Sequence, residues 1–272
     1  GGDLNTGREY GAGAGTMTAA LIATGSNAGG KQEEVETYDG SSWTEVPDTN
    51  TSRGSGSLAG AGTQTATIIH GGSAPGGVTD ETETFDGSSW TEVGDFNTAT
   101  DQHAGANAGT QTATLAFGGG TPAPHTAKNE SWNGTSWTEV GDLTTSRERL
   151  SGAGTSTAAL AIDGAQTPGL PYSIIRTESW DGSSWTEVAD TTSVHYWGAA
   201  WGSQTSAVVF GSYPAQNYTD EWDGTAWAEA AAINTNRVMY NAGTGGPGAT
   251  EGILMGGTPN TVVTEEWTKA VA

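Results

Sequence analysis

Four arginines recur at one relative position, and they are the first residues of this chain whose type and spacing could do chemistry. Arg8, Arg53, Arg147 and Arg237 occupy equivalent sites of a repeat, with Thr100 and His195 at the two remaining equivalents. A ring of guanidiniums near a common axis would hold a carboxylate through bidentate forks. The plainer expectation is that each arginine ties one repeat to an acidic residue of the next. A second group is aromatic. His195, Tyr196 and Trp197 crowd one connection, Trp201 follows closely, and Tyr172, Tyr213 and Tyr218 fall in neighbouring segments. Such a cluster offers π-faces to the apolar C–H faces of a sugar while rim groups take its hydroxyls. For Trp201, which stands where five units carry alanine, the competing expectation is a plug for a central channel or a spacer beside a short unit.

Other chemistries find little support. His70, His103, His125 and His195 are scattered among units, cysteine is absent, and no spaced Asp-x-Asp-x-Asp loop occurs, so no metal or cofactor is expected. No carboxylate pair stands out from the repeat background as a hydrolytic dyad. The expectation is a protein that is not an enzyme, with a glycan-active enzyme as an alternative. With 9 basic against 31 acidic residues, a net charge of −22 repels phosphate backbones and anionic headgroups, which argues against nucleic acid. No run of about 18 apolar residues suggests membrane insertion, and the opening GGDLNTGREY does not read as a leader.

The elements that must position these groups follow from a period. DGSSWTEV stands at 39–46, 86–93 and 181–188, with NGTSWTEV at 133–140 and DGTAWAEA at 223–230. The aromatic before each turn, Tyr38, Phe85, Trp132, Trp180 and Trp222, with Trp267 as an unturned sixth, recurs at spacings of 47, 47, 48, 42 and 45. Units of this length that carry only strand signals predict an all-β, six-bladed β-propeller of four-stranded antiparallel blades. The whole of 1–272 is then one domain, with blades near 3–47, 48–94, 95–141, 142–189, 190–231 and 232–272. The Asp-Gly pair predicts a two-residue type I′ hairpin between strands c and d, setting Phe85 against Ser88 and Glu83 against Trp90. Glu36, Glu83, Glu130, Glu178 and Glu221 serve as a fixed mark on strand c. The last unit has no Asp-Gly turn, so its outer strand is expected to be missing and either left open or completed by another chain.

The Gly-Gly doublets Gly71-Gly72, Gly118-Gly119 and Gly256-Gly257, the strand-c aromatics and the strand-d tryptophans resemble the Kelch-repeat family. Degenerate doublets stand at Thr24-Gly25, Asp163-Gly164 and Gly211-Ser212. Stretches such as SWNGTSWTEVGDLTTSR are similar to Kelch-like structural and tail-associated proteins of bacteriophages, particularly marine ones. That resemblance implies a virion or extracellular protein whose partners are other virion subunits and a host-surface glycan. The alternative is an assembly subunit, such as a filament or capsid-decoration protein, without a small ligand. The variable d-to-a and b-to-c connections predict which face binds, and unit four carries the longest insertion there, AQTPGLPYSI.

Overall fold

The computed structural model describes residues 1–54, 59–120, 125–166, 173–214, 216–246, 248–259 and 261–269. No helix occurs among them, and the strands form six small antiparallel meanders, five of four strands (a to d) and one of three, with a two-stranded ribbon, Ser73–Ala74 and Gly77–Val78, between strands b and c of the second. Blade 1 comprises Ala12–Thr16, Ala19–Asn27, Gly30–Tyr38 and Trp43–Val46, and blade 2 comprises Ala59–Thr63, Ala66–His70, Thr82–Phe85 and Trp90–Glu92. Blade 3 runs through Ala104–Gly105, Thr114–Phe117, Asn129–Trp132 and Trp137–Glu139, and blade 4 through Ser151–Thr155, Ala158–Ile162, Thr177–Trp180 and Trp185–Glu187. Blade 5 contains Ala199–Ser203, Ser206–Ser212, Gln216–Trp222 and Trp227–Glu229, whereas blade 6 has three strands among the described residues, Gly243–Gly245, Glu251–Met255 and Thr264–Thr268. Strand a of every blade packs on strand a of the next, blade 6 on blade 1 included, so the sheets close into one ring. The chain is a six-bladed β-propeller.

Strand a is built from Ala and Gly because six of these strands converge on one axis. At Gly152 an added Cβ would stand 2.1 Å from the carbonyl oxygen of Gly105 in the neighbouring blade. Further out, the repeated octapeptide supplies the volume. The hairpin differs from the two-residue turn predicted above: Phe85 pairs directly with Trp90 across a four-residue loop, and Glu83 pairs with Glu92. Asp86 is the reason, since its carboxylate accepts the backbone N–H groups of Ser88 and Ser89 at 2.8 Å each, an Asx turn that two residues could not close. Each strand-c aromatic therefore faces its strand-d tryptophan, with ring centroids from 5.0 Å at Tyr38 and Trp43 to 5.5 Å at Trp132 and Trp137. The indoles then wedge against the preceding blade. Trp137 donates its N–H to Thr82 Oγ1 at 2.9 Å, Trp227 to Thr177 Oγ1 and Trp43 to Thr264 Oγ1, both at 3.1 Å.

A second inter-blade tie explains the doublets. Their first residue is left-handed in all six blades, with φ between 55° and 69°, including Thr24 and Asp163, where the glycine doublet is degenerate. That kink lets the next N–H turn out of its own sheet. Gly25 thus donates to the carbonyl of Arg53, Gly72 to Thr100, Gly119 to Arg147 and Gly257 to Arg8, each time from one blade to the following connection. Gly118→Ala is accordingly expected to cost about 2–3 kcal/mol. The left-handed backbone disfavours an L side chain by roughly 1–2 kcal/mol, and the new Cβ would lie 2.7 Å from Arg147 O. Thermal melting reads this directly, and an unchanged Tm would contradict the assignment.

The first residues of the chain border the last blade. Leu4 N donates to Val262 O at 2.9 Å, and Asp3 Oδ1 accepts Thr264 N at 3.1 Å. Phe96 and Asp95 make the same contacts to Asp80 and Thr82 within blade 2.

Candidate functional site

The recurring arginines are fully buried, which removes them from any ligand site. Arg8 pairs with Glu36 at 2.7 Å, Arg53 with Glu83 at 2.8 Å, Arg147 with Glu178 at 3.2 Å and Arg237 with Glu265 at 3.0 Å. Each glutamate lies on strand c of the arginine's own blade, and the inter-blade link runs instead through the arginine carbonyl described above. Neither a guanidinium ring open to a carboxylate nor a side-chain tie to the next blade exists. The register also moves the fixed acidic mark. Asp220 pairs with Val209 as Glu178 pairs with Ala161, so Asp220 and Glu265, not Glu221, continue the series.

Blade 5 swaps both partners. His195 replaces the arginine and the shorter Asp220 replaces the glutamate, with Nε2 3.3 Å from Asp220 Oδ2 and Nδ1 3.0 Å from Gly211 O. Both side chains are fully buried, so His195 is structural and not a ligand residue. Asp163, also buried, accepts the hydroxyl of Thr191 and the N–H of His195, and burial raises its pKa to about 6.

Trp201 is a wedge between blades 5 and 6. Its ring stacks on Phe210 at 4.5 Å, meets Trp267 edge-on at 6.1 Å and covers Gly252, where a Cβ would come within 2.2 Å of it. It is only 1% exposed, so it neither touches a ligand nor plugs the axis. The plug is Trp197. Its ring touches residues from four blades: Tyr10 at 6.1 Å, Tyr240 at 4.8 Å, Tyr213 at 5.9 Å and Tyr196 at 5.3 Å, with the Arg149 guanidinium 4.4 Å above it. Tyr172 lies outside the described residues.

Alignment of the connections shows why these side chains meet. Tyr10, Gln102, Arg149 and Trp197 each stand two residues after the recurring arginine site, and Tyr240 stands three after it. All five are non-glycine residues with φ between 51° and 64°. Left-handed backbone at such residues costs on the order of 1–3 kcal/mol each and persists only where surroundings enforce it. Here a chain of backbone bonds enforces it: Arg149 N to Gln102 O at 2.7 Å, Trp197 N to Arg149 O at 3.0 Å and Tyr240 N to Trp197 O at 3.0 Å. The result is an aromatic cluster over the axis on the b-to-c face.

Its rim is polar. Arg149 Nε lies 2.6 Å from Gln102 Oε1 and 3.0 Å from Glu148 Oε1, its Nη1 meets the Tyr196 hydroxyl, and His125 Nδ1 approaches Glu148 Oε2 at 3.0 Å. Burial raises the pKa of Tyr10 and Tyr196, so both hydroxyls stay neutral donors. Tyr213, at 54% exposure, and Tyr218, at 43%, offer open rings, while Tyr10 and Trp197 are half-buried. Among the described residues no three His, Asp or Glu side chains converge as a metal set.

Below the cluster the axis is nearly closed. A cavity of about 20 Å³ lies among strand-a glycines, Asn107 and Asn241, room for about one water. Asn107 reaches across to the carbonyl of Ala200, and beyond it a bowl of about 470 Å³ opens on the a-to-b face, lined by Gly15, Thr63, Thr110 and Gln111. That side is structural in its polar groups: Gln64 and Gln111 latch the carbonyls of Tyr38 and Phe85 in the preceding blade at 2.7 and 2.6 Å.

No family model and no curated protein matches the chain. Among solved structures it is similar to one reported as "Structure of YjhT", with a TM-score of 0.72 over 94% of this chain and 92% of that one at 12% identity, a likeness that carries the propeller fold and nothing finer.

Proposed function

We propose that this propeller is a non-enzymatic carbohydrate-binding module that takes a sugar ring against the aromatic cluster of Trp197 and Tyr213. The carrying observation is the set of five left-handed, non-glycine residues, of four types, that meet over the axis with the same backbone geometry. Strain of this kind is concentrated where a site must be pre-organised. The open ring of Tyr213 beside the half-buried indole of Trp197 suits the apolar face of a pyranose, and Gln102, Arg149 and the tyrosine hydroxyls suit its hydroxyl groups. The Kelch-like repeats and the phage-like low-complexity style support display on a virion, where a surface glycan of the host would be the partner.

The test is a glycan screen followed by titration of the best binder. Tyr213→Ala removes an exposed ring without touching the core and is expected to weaken binding roughly tenfold, about 1.4 kcal/mol. Trp197→Ala is expected to abolish it. A screen without a saturable binder sinks the reading, and turnover of a bound oligosaccharide would replace it with a glycan-active enzyme.

A further inference from the structure

Two tyrosines of the axial cluster are placed for a reaction that sugar binding does not use. The rings of Tyr10, before strand a of blade 1, and Tyr240, before strand a of blade 6, lie with centroids 3.9 Å apart and planes tilted by 33°. Tyr196 and Tyr213, by contrast, are 6.0 Å apart at 75°. Behind the close pair stands a proton path. The Thr258 hydroxyl meets both Glu9 Oε2 and the Tyr240 hydroxyl, the latter at 3.0 Å. A threonine hydroxyl has one proton to donate, and giving it to the carboxylate leaves Tyr240 as the donor to Thr258. A phenol proton can therefore leave along the line from Tyr240 through Thr258 to Glu9. An electron path leads in from solvent. Tyr213, more than half exposed, meets Trp197 at 5.9 Å, and Trp197 meets Tyr240 at 4.8 Å and Tyr10 at 6.1 Å. The Arg149 guanidinium 4.4 Å over the indole disfavours a positive charge resting on Trp197, and the Tyr196 hydroxyl meets the same cation and not a base. A hole that enters at Tyr213 comes to rest where a carboxylate takes up the proton, at Tyr240 and the ring beside it.

We propose that Tyr10 and Tyr240 form an oxidative cross-linking site, joined as dityrosine when a one-electron oxidant, a haem peroxidase consuming hydrogen peroxide, draws electrons through Tyr213 and Trp197. Each phenol gives up one electron and one proton, that of Tyr240 through Thr258 to Glu9 and that of the half-buried Tyr10 to water. The two radicals couple between ring carbons ortho to the oxygens. The hydrogens on those carbons then pass to the oxygens and restore both phenols, so the protein loses two hydrogens while one peroxide becomes two waters. The new bond spans the seam between blades 6 and 1, beside the backbone bond from Gly257 N to Arg8 O. Cross-linking needs no glycan, so its outcome is independent of carbohydrate binding.

The test treats the intact protein with a haem peroxidase and hydrogen peroxide, followed by dityrosine fluorescence, size exclusion and mass spectrometry of tryptic peptides. The expected product is a monomer lighter by two hydrogens, in which the peptide from Glu9 to Lys31 is joined to that from Val238 to Lys269. Its Tm is expected to rise by on the order of 10 °C, because the bond closes a long loop in the unfolded chain. Tyr10→Phe, which keeps the ring and removes the phenol, is expected to abolish the product. Tyr213→Phe, at the electron entry, and Glu9→Gln, at the proton acceptor, are each expected to slow its formation severalfold. Dityrosine undiminished in Tyr10→Phe, dimers joined through Tyr213, consumption of Tyr213 without the joined peptides, or a rate unmoved by both Tyr213→Phe and Glu9→Gln would each overturn the proposal.

Discussion

Arg8→Met is expected to destabilise the protein by about 3–5 kcal/mol, the range for leaving a buried charge without its partner. Every donor group of Arg8 is engaged: Nη2 with Glu36, Nη1 with the carbonyls of Glu34 at 2.6 Å and Thr24 at 3.2 Å, and Nε with Thr6 O at 3.3 Å. Burial lowers the guanidinium's pKa, and Glu36 is the largest influence opposing that shift, so the pair holds its charges only together. Removing the arginine leaves a 1%-exposed carboxylate with the amides of Asn5 and Thr6 as its remaining donors. A chain of this size shifts by roughly 2–4 °C per kcal/mol, so a fall in Tm of about 10 °C is expected. Adding Glu36→Gln, which keeps the amide contacts and removes the charge, is expected to recover most of the loss. If the double variant melts no higher than the single one, the cost lies in packing and not in the unpaired charge.

The second large effect is acid instability seated in the seam between blades 2 and 3. His70 Nδ1 and His103 Nε2 lie 3.1 Å apart, both rings fully buried against Phe96 and Trp137. Burial, reinforced by His103 and Arg53, pushes the pKa of His70 well below 6.5, and burial lowers His103 to about 4. In the unfolded chain both histidines take up protons as pH falls through about 6.5. The folded state does not, so stability is present above that pH and is lost on acidification. His103 alone accounts for about 3 kcal/mol by pH 4, at 1.36 kcal/mol per pKa difference of one, and His70 adds to it over the same window. Asp163 acts in the opposite sense, because its raised pKa lets the folded state hold a proton that the unfolded state has released. It returns roughly 3 kcal/mol between about pH 6 and 4, so the histidines prevail as a pair. The equivalents of His70 and His103 in the next blade step are Phe117 and Leu150. His70→Phe with His103→Leu is therefore expected to remove the loss between pH 6.5 and 4, measured by denaturant unfolding across pH. An acid slope identical to that of the parent chain would contradict the assignment.

Most of the fold was legible because the octapeptide does one physical job five times. Its Asp caps a turn, its Trp wedges a seam, and a period of that length leaves few alternatives to blades in a ring. The turn length was misread because Asp-Gly signals a two-residue hairpin, while the serines that follow give Asp86 two further N–H groups to hold. The site was legible only in part. Tyr196, Trp197 and Tyr213 were visible as departures from the repeat, but Trp201 departs equally and is a wedge, since sequence does not tell which way a strand-a side chain turns. Tyr10, Gln102, Arg149 and Tyr240 went unnoticed because they are ordinary residues one at a time. Their neighbours vary as well, with Glu9, Asp101, Glu148 and Tyr196 one residue before Tyr10, Gln102, Arg149 and Trp197, so no contrast within the repeat marks them.

The most direct test of a binding site built on the Trp197 cluster is an NMR titration of the labelled protein with the glycan that binds it most tightly. The indole N–H of Trp197 and the ring signals of Tyr10 and Tyr213 are predicted to move together along one saturating curve, with Thr110, Gln111 and Gly245 in the opposite bowl left in place. Shifts confined to that bowl, with Trp197 silent, would contradict the account.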